Sequence, residues 1–145
     1  MRNFKSDLQL GEKAQDYIIK VKSKEHKGLK QVQGNFKEYD LVAEDGYTAE
    51  VKFDILSRET QRVGIEYECN NQKSGIARTK AYEWIHFYKL YNDWVYSTIN
   101  TSSLKSFLKS NWNSLDKVNG GDSNTSKMVL VSVYDFADTF GFEKV

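Results

Sequence analysis

Two short stretches alternate apolar and polar residues, Tyr39-Asp40-Leu41-Val42-Ala43 and Tyr47-Thr48-Ala49-Glu50-Val51-Lys52-Phe53, and they flank Glu44-Asp45-Gly46. Period-two alternation around a turn containing Asp-Gly leaves little choice but a β-hairpin. The length of the turn then decides which side chains share a face. A two-residue loop at Asp45-Gly46 pairs Ala43 with Thr48 and puts Asp40 on the face opposite Glu50. A three-residue loop, with Gly46 left-handed and a G1 bulge, pairs Ala43 with Tyr47 and sets Asp40 against Glu50, and glycine in third place is what that loop requires. In both cases Glu50 and Lys52, two apart on one strand, point the same way.

The rest of the chain supplies helices and further strands. Leu10, Ala14, Tyr17, Ile18 and Val21 recur at helical spacing behind a Ser6/Gln9 capping box, which predicts a helix from about Asp7 to Lys24. Gly28 and Gly34 punctuate the segment that follows. Arg62 to Glu68 reads as a third strand, and Ser74 as the N-cap of a helix through Tyr82. Trp84 to Lys89 and Trp94 to Ile99 read as strands joined at Asn92-Asp93. Thr101 or Ser102 should cap a helix carrying Leu104, Phe107 and Leu108, and Asn119 to Asn124 reads as a loop before a last strand, Met128 to Tyr134. The order α-β-β-β-α-β-β-α-β predicts one mixed α/β sheet, and 145 residues suit a single domain spanning 1–145.

Composition excludes several classes of protein. Aromatics at 14% and charged residues at 28% are globular proportions, not those of a disordered chain. The single cysteine, Cys69, forms no intrachain disulfide and lacks partners for a zinc site, since only His26 and His86 accompany it. No apolar run is long enough for a membrane span, so the expected setting is intracellular. The net charge of +1 conceals an uneven distribution, with Lys13, Lys20, Lys22, Lys24, Lys27 and Lys30 early in the chain and carboxylates concentrated between Glu38 and Glu68. A solvated helix face explains such lysines equally well, but basic residues beside a carboxylate cluster also suit a cation site that faces a polyanion.

If the three-residue turn forms, Asp40 and Glu50 offer hard oxygen ligands suited to Mg²⁺, with Lys52 placed to orient or help deprotonate a water and to stabilise negative charge at phosphorus. That is the equipment for phosphodiester hydrolysis. The spacing D-x9-E-x-K on its own carries little weight, because acidic and basic residues alternate on many exposed strands. Its surroundings add to it. Glu38-Tyr39-Asp40-Leu41, Ala49-Glu50-Val51-Lys52-Phe53-Asp54, Gly64-Ile65-Glu66-Tyr67-Glu68 and Ser74-Gly75-Ile76 leading into Thr79-Lys80-Ala81-Tyr82-Glu83-Trp84 together resemble the PD-(D/E)XK nuclease superfamily, in particular its small phage and archaeal Holliday-junction-resolvase-like members.

The resemblance runs from about Leu10 to Leu108. It implies a restriction-endonuclease-like αβββαβ core and Mg²⁺- or Mn²⁺-dependent cleavage of DNA. It further implies preference for junctions or branched DNA, as in phage-type replication or recombination, and action as a homodimer. Tyr39 stands where the superfamily usually has proline. Similar proteins offer a Glu from the first helix, and the matching position here is Gln15, whose amide brings no charge; Glu12 lies nearly opposite the apolar stripe. Glu66 is the residue expected to extend the metal shell, while Ser74, Thr79 and Lys80 are expected to hold a DNA phosphate at the start of their helix. His86 reads as structural, His26 as solvated, and the many aromatics as core and edge packing. The alternative is a DNA-binding or interaction protein that keeps the nuclease fold without catalysis, for which Gln15 is the motivating residue.

Overall fold

The computed structural model describes residues 4–34, 38–120 and 125–145, with side chains from Leu10 onward. The chain forms, in order, α1 (Phe4–Lys22), β1 (Lys30–Gln31), β2 (Leu41–Val42), β3 (Thr48–Phe53), α2 (Ser57–Thr60), β4 (Arg62–Cys69) and β5 (Gln72–Lys73). A 3₁₀ turn at Gly75–Ala77 follows, then β6 (Glu83–Leu90), β7 (Asp93–Asn100), α3 (Thr101–Ser110), β8 (Lys117–Gly120), β9 (Ser126–Ser132), α4 (Val133–Phe140) and β10 (Glu143–Lys144). This is a mixed α/β architecture.

The hairpin forms with the three-residue turn. Leu41 pairs with Ala49 and Val42 with Thr48, Ala43 N–H donates to Tyr47 O at 2.9 Å, and Gly46 takes φ 91°. Continued by one residue, that register sets Asp40 across from Glu50. The turn is also held from outside: His26 Nδ1 lies 2.9 Å from Asp45 Oδ2, the His26 ring stacks on Tyr47 at 3.7 Å, and the Tyr47 hydroxyl donates to Glu83. His26 is therefore not a solvated residue; it pins the turn to the end of α1. The Asp45 carboxyl is held below its ordinary 3.8 by the hydrogen bond with His26 first, then by the Tyr47 N–H. A depressed carboxylate contributes stability above its unfolded pKa and loses it as the pH falls through the folded value. His26→Ala is accordingly expected to raise the Asp45 midpoint, read from the carboxyl ¹³C shift over an acid titration.

Expectation and structure part company at several elements. The predicted single sheet is two: a six-stranded sheet, β1-β2-β3-β6-β7-β10, and a four-stranded one, β5-β4-β9-β8. Within the first, β3 pairs with β6 in parallel, Glu50 against Trp84 and Lys52 against His86, while the other pairs are antiparallel. The third predicted strand, β4, thus leaves the hairpin's sheet and pairs with β9. No α-helix follows Ser74; Gly75 takes φ 50°, and only the 3₁₀ turn forms. The predicted last strand ends at Ser132, whose side chain caps α4 by accepting from Tyr134 N–H, so Val133 and Tyr134 are helical. The Trp84 and Trp94 strands turn at Tyr91-Asn92, one residue earlier than expected. Asn100, one residue before the expected Thr101, caps α3. Ser6 lies inside α1 and is not its cap. Asn119 and Gly120 belong to β8, and the remainder of the predicted loop lies outside the described residues.

Burial follows the strand alternation. One face of the larger sheet carries Leu41, Ala49, Val51, Ile85 and Phe87 against Ala14 and Ile18 of α1. The other face, with Trp84, Tyr88, Val95 and Ile99, packs on Val63 and Ile65 of β4, Val129 and Val131 of β9, Leu104 of α3 and Phe136 of α4. Glu50 and Lys52 occupy this second face of β3, with Asp54 just beyond the strand's end, where the two sheets meet. No helix among the described residues is long and apolar enough to cross a membrane.

Candidate active site

Where the end of β3 approaches the edge of β4, a cleft of about 200 Å³ opens. β3 contributes Glu50 and Lys52, β4 contributes Glu66, and the 3₁₀ turn and the residues around it contribute Ser74, Gly75, Arg78 and Thr79. Glu38, ahead of β2, completes the wall; its carbonyl accepts from Lys80 N–H at 3.1 Å, which ties the two segments together. Carboxylates from both sheets therefore reach one space.

The turn is pressed hard against β4. Ser74 N–H donates to Tyr67 O at 3.1 Å, and a Cβ on Gly75 would stand 2.2 Å from Glu66 O. Only glycine fits there. Ser74 Oγ is buried at the cleft with no hydrogen-bond partner among the described residues. An unsatisfied buried hydroxyl costs about 1–3 kcal/mol, which a group accepting or donating inside the cleft would offset.

Lys52 Nζ lies 3.1 Å from Glu50 Oε2 and 5.7 Å from the centre of the Trp84 ring. Burial by itself would draw its pKa down, but Glu50, Asp40 and Glu66 more than reverse this and hold the ammonium above the ordinary lysine value. Lys52 thus brings a positive charge to the cleft. Asp40 is buried; its Oδ2 accepts from Val51 N–H at 2.8 Å, replacing a strand carbonyl where the hairpin pairing ends. It sits behind the cleft wall, near enough to contribute to the charge on Lys52.

Of the residues singled out from sequence, Glu50, Lys52, Glu66, Ser74 and Thr79 line the cleft, whereas Asp40, Lys80 and Gln15 do not. Lys80 points to solvent, because a 3₁₀ turn ending at Ala77 does not have the helical phase that would bring residue 80 round. Arg78 takes the place expected of it, and both Arg78 and Glu38 escaped the sequence reading. Their signal was present, since each lies within or beside a stretch that carries the resemblance, but assuming a helix favoured the wrong cation. α1 packs on the Ala49/Val51 face of β3, opposite Glu50, with Glu12 exposed and Gln15 half-buried. Glu68, two residues beyond Glu66, pairs with Lys127 at 3.1 Å beyond a bulge. Trp84, Phe87, Tyr88 and Tyr96 are core residues as expected, but Tyr82 is 61% exposed.

The donor set suits Mg²⁺ or Mn²⁺ in kind, being carboxylate and hydroxyl oxygen, with no sulfur or imidazole among the described residues that line the cleft. Among the described residues no three His, Cys, Asp or Glu side chains are gathered closely enough to hold an ion as they stand. Comparison of the chain with protein-family models, with curated proteins and with solved structures finds no match.

Proposed function

We propose that this cleft hydrolyses DNA phosphodiester bonds with the help of Mg²⁺ or Mn²⁺, on a scaffold that departs from the expected αβββαβ core in that β4 joins a second sheet and a 3₁₀ turn stands in place of the helix after it. The observation that carries the reading is the convergence of Glu50 and Lys52 from one sheet with Glu66 from the other, beside Arg78 and the unpartnered Ser74 hydroxyl. Glu50 and Glu66, with Asp40 behind them, are the residues that would hold the ion, which when bound polarises a phosphoryl oxygen and offsets the carboxylates' repulsion of DNA. Arg78 and Ser74 bind the non-bridging oxygens of the phosphate at the cleft, the first by charge and the second by its free O–H. Lys52 faces the developing negative charge at phosphorus and stabilises it electrostatically. Preference for four-way junctions or other branched DNA, action as a homodimer and an intracellular setting belong to the same reading and rest on the family resemblance.

A second reading, a DNA-binding or interaction protein of the same fold without catalysis, is favoured by the ion pair between Lys52 and Glu50, which occupies a ligand oxygen. One experiment separates the two. Labelled four-way-junction, duplex and single-stranded DNA are incubated with Mg²⁺, Mn²⁺ or EDTA. Metal-dependent cutting is expected, strongest on branched substrate; folded protein that binds DNA and cuts none of the three supports the second reading.

A further inference from the structure

Behind Lys52 lies a buried polar chain that the proposed chemistry does not use. His86 is 1% exposed and packs against the Tyr88 and Phe136 rings, surroundings that favour no polar group without partners. Both its ring nitrogens are satisfied. Trp84 Nε1–H donates to His86 Nδ1 at 3.0 Å, and His86 Nε2 lies 3.0 Å from Asp54 Oδ2. Indole is only a donor and a carboxylate only an acceptor, so His86 is in the tautomer with its proton on Nε2. The same Asp54 Oδ2 accepts from Gly64 N–H of β4 at 2.8 Å.

The position of this chain suggests its use. Asp54 lies two residues beyond Lys52 and Gly64 two before Glu66, so the Asp54–Gly64 bond joins the two sheets directly beneath the residues that face each other across the cleft. At its other end, the Trp84 ring is the platform over which the Lys52 ammonium sits. We infer that Asp54, His86 and Trp84 form a positioning strut that sets the spacing between Glu50/Lys52 and Glu66 and fixes the seat of Lys52. The inference rests on reading the cleft as an active site. None of the three touches substrate, and they act through Lys52 and Glu66.

Two substitutions at one position test this. Glutamine can accept from Trp84 and donate to Asp54, whereas leucine fills the space and does neither. His86→Leu, and Trp84→Phe, which keeps a ring but loses the N–H, are expected to lower kcat for DNA cleavage at least about tenfold with KM changed less than about twofold, because sub-ångström displacement of a reacting group acts on the chemical step. His86→Gln should stay within about threefold of wild type in kcat. A second readout is independent of cleavage: the Lys52 side-chain NMR signal should move in the leucine variant and stay in place in the glutamine one. Leucine matching glutamine in both readouts, in protein shown to be folded at the assay temperature, overturns the strut. If wild type cuts no DNA, the nuclease reading fails and the Lys52 signal alone decides the strut.

Discussion

Lys52→Ala is expected to lower the single-turnover rate of metal-dependent DNA cleavage by about 10²–10³-fold, the usual cost of removing one group aimed at developing charge. The ammonium is held by Glu50 at 3.1 Å and kept charged by three carboxylates, so neither solvent nor the distant surface lysines can replace it. DNA affinity measured in EDTA should fall little. Glu50→Gln should bind DNA more tightly in EDTA than wild type, because it removes a negative charge from the wall that meets phosphate, while cleaving far more slowly. Gel-shift and quenched-flow measurements on the same preparations separate these effects. A Lys52→Ala enzyme that cuts at the wild-type rate would remove Lys52 from the chemistry and the cleft from the mechanism.

Gly75→Ala should destabilise the protein by about 2–4 kcal/mol, combining the strain of a left-handed alanine with a backbone clash. The clash is the larger part. The new methyl would stand 2.2 Å from Glu66 O and 2.9 Å from its carbonyl carbon, atoms fixed in a paired strand that cannot swing aside. The 3₁₀ turn must lift or β4 must bend, and either movement displaces Ser74 or Glu66 from the cleft. Gly46→Ala makes the control, since its φ of 91° carries at least as much backbone strain but its added methyl meets nothing within 4 Å. Urea denaturation should therefore show Gly75→Ala to be the more costly substitution by at least about 1 kcal/mol, with loss of cleavage only at Gly75. Equal costs at the two glycines would show that strain, and not the contact with Glu66, is what position 75 demands.

Much of the local structure was legible in residue order because its causes are local. Of the two hairpin registers the residues allowed, the one that places glycine third in a three-residue turn forms, and Leu41 pairs with Ala49. The α1 stripe, the body of β4 and the α3 pattern followed from periodicity, which reports burial on one side of an element. Reading failed where local pattern and tertiary context disagreed. Met128 to Tyr134 is apolar except at Ser132, and its last residues turn helical because Ser132 finds an N–H to cap. Ser74 to Tyr82 has a good cap and helix-compatible residues, yet Lys80 N–H and Tyr82 N–H are taken by Glu38 O and Thr48 Oγ1, so the segment is spent bridging to the hairpin.

The residues alone determined that Glu50 and Lys52 share a face, because strand geometry has period two, and narrowed Asp40 to two registers set by turn length, of which the structure adopts the one that sets it across from Glu50. What they left undetermined was the partner across the cleft. Tertiary structure decided that β4 would join β9 in place of β3, bringing Glu66 to Glu50 from a second sheet. It also decided that Arg78, not Lys80, would reach the cleft, and that His86 would lie buried between Trp84 and Asp54. The physical reason is common to all three. Strand partners, the path of an irregular turn and the pairing of buried polar groups are settled by contacts between residues far apart in the chain, whose energies no local pattern of side chains encodes.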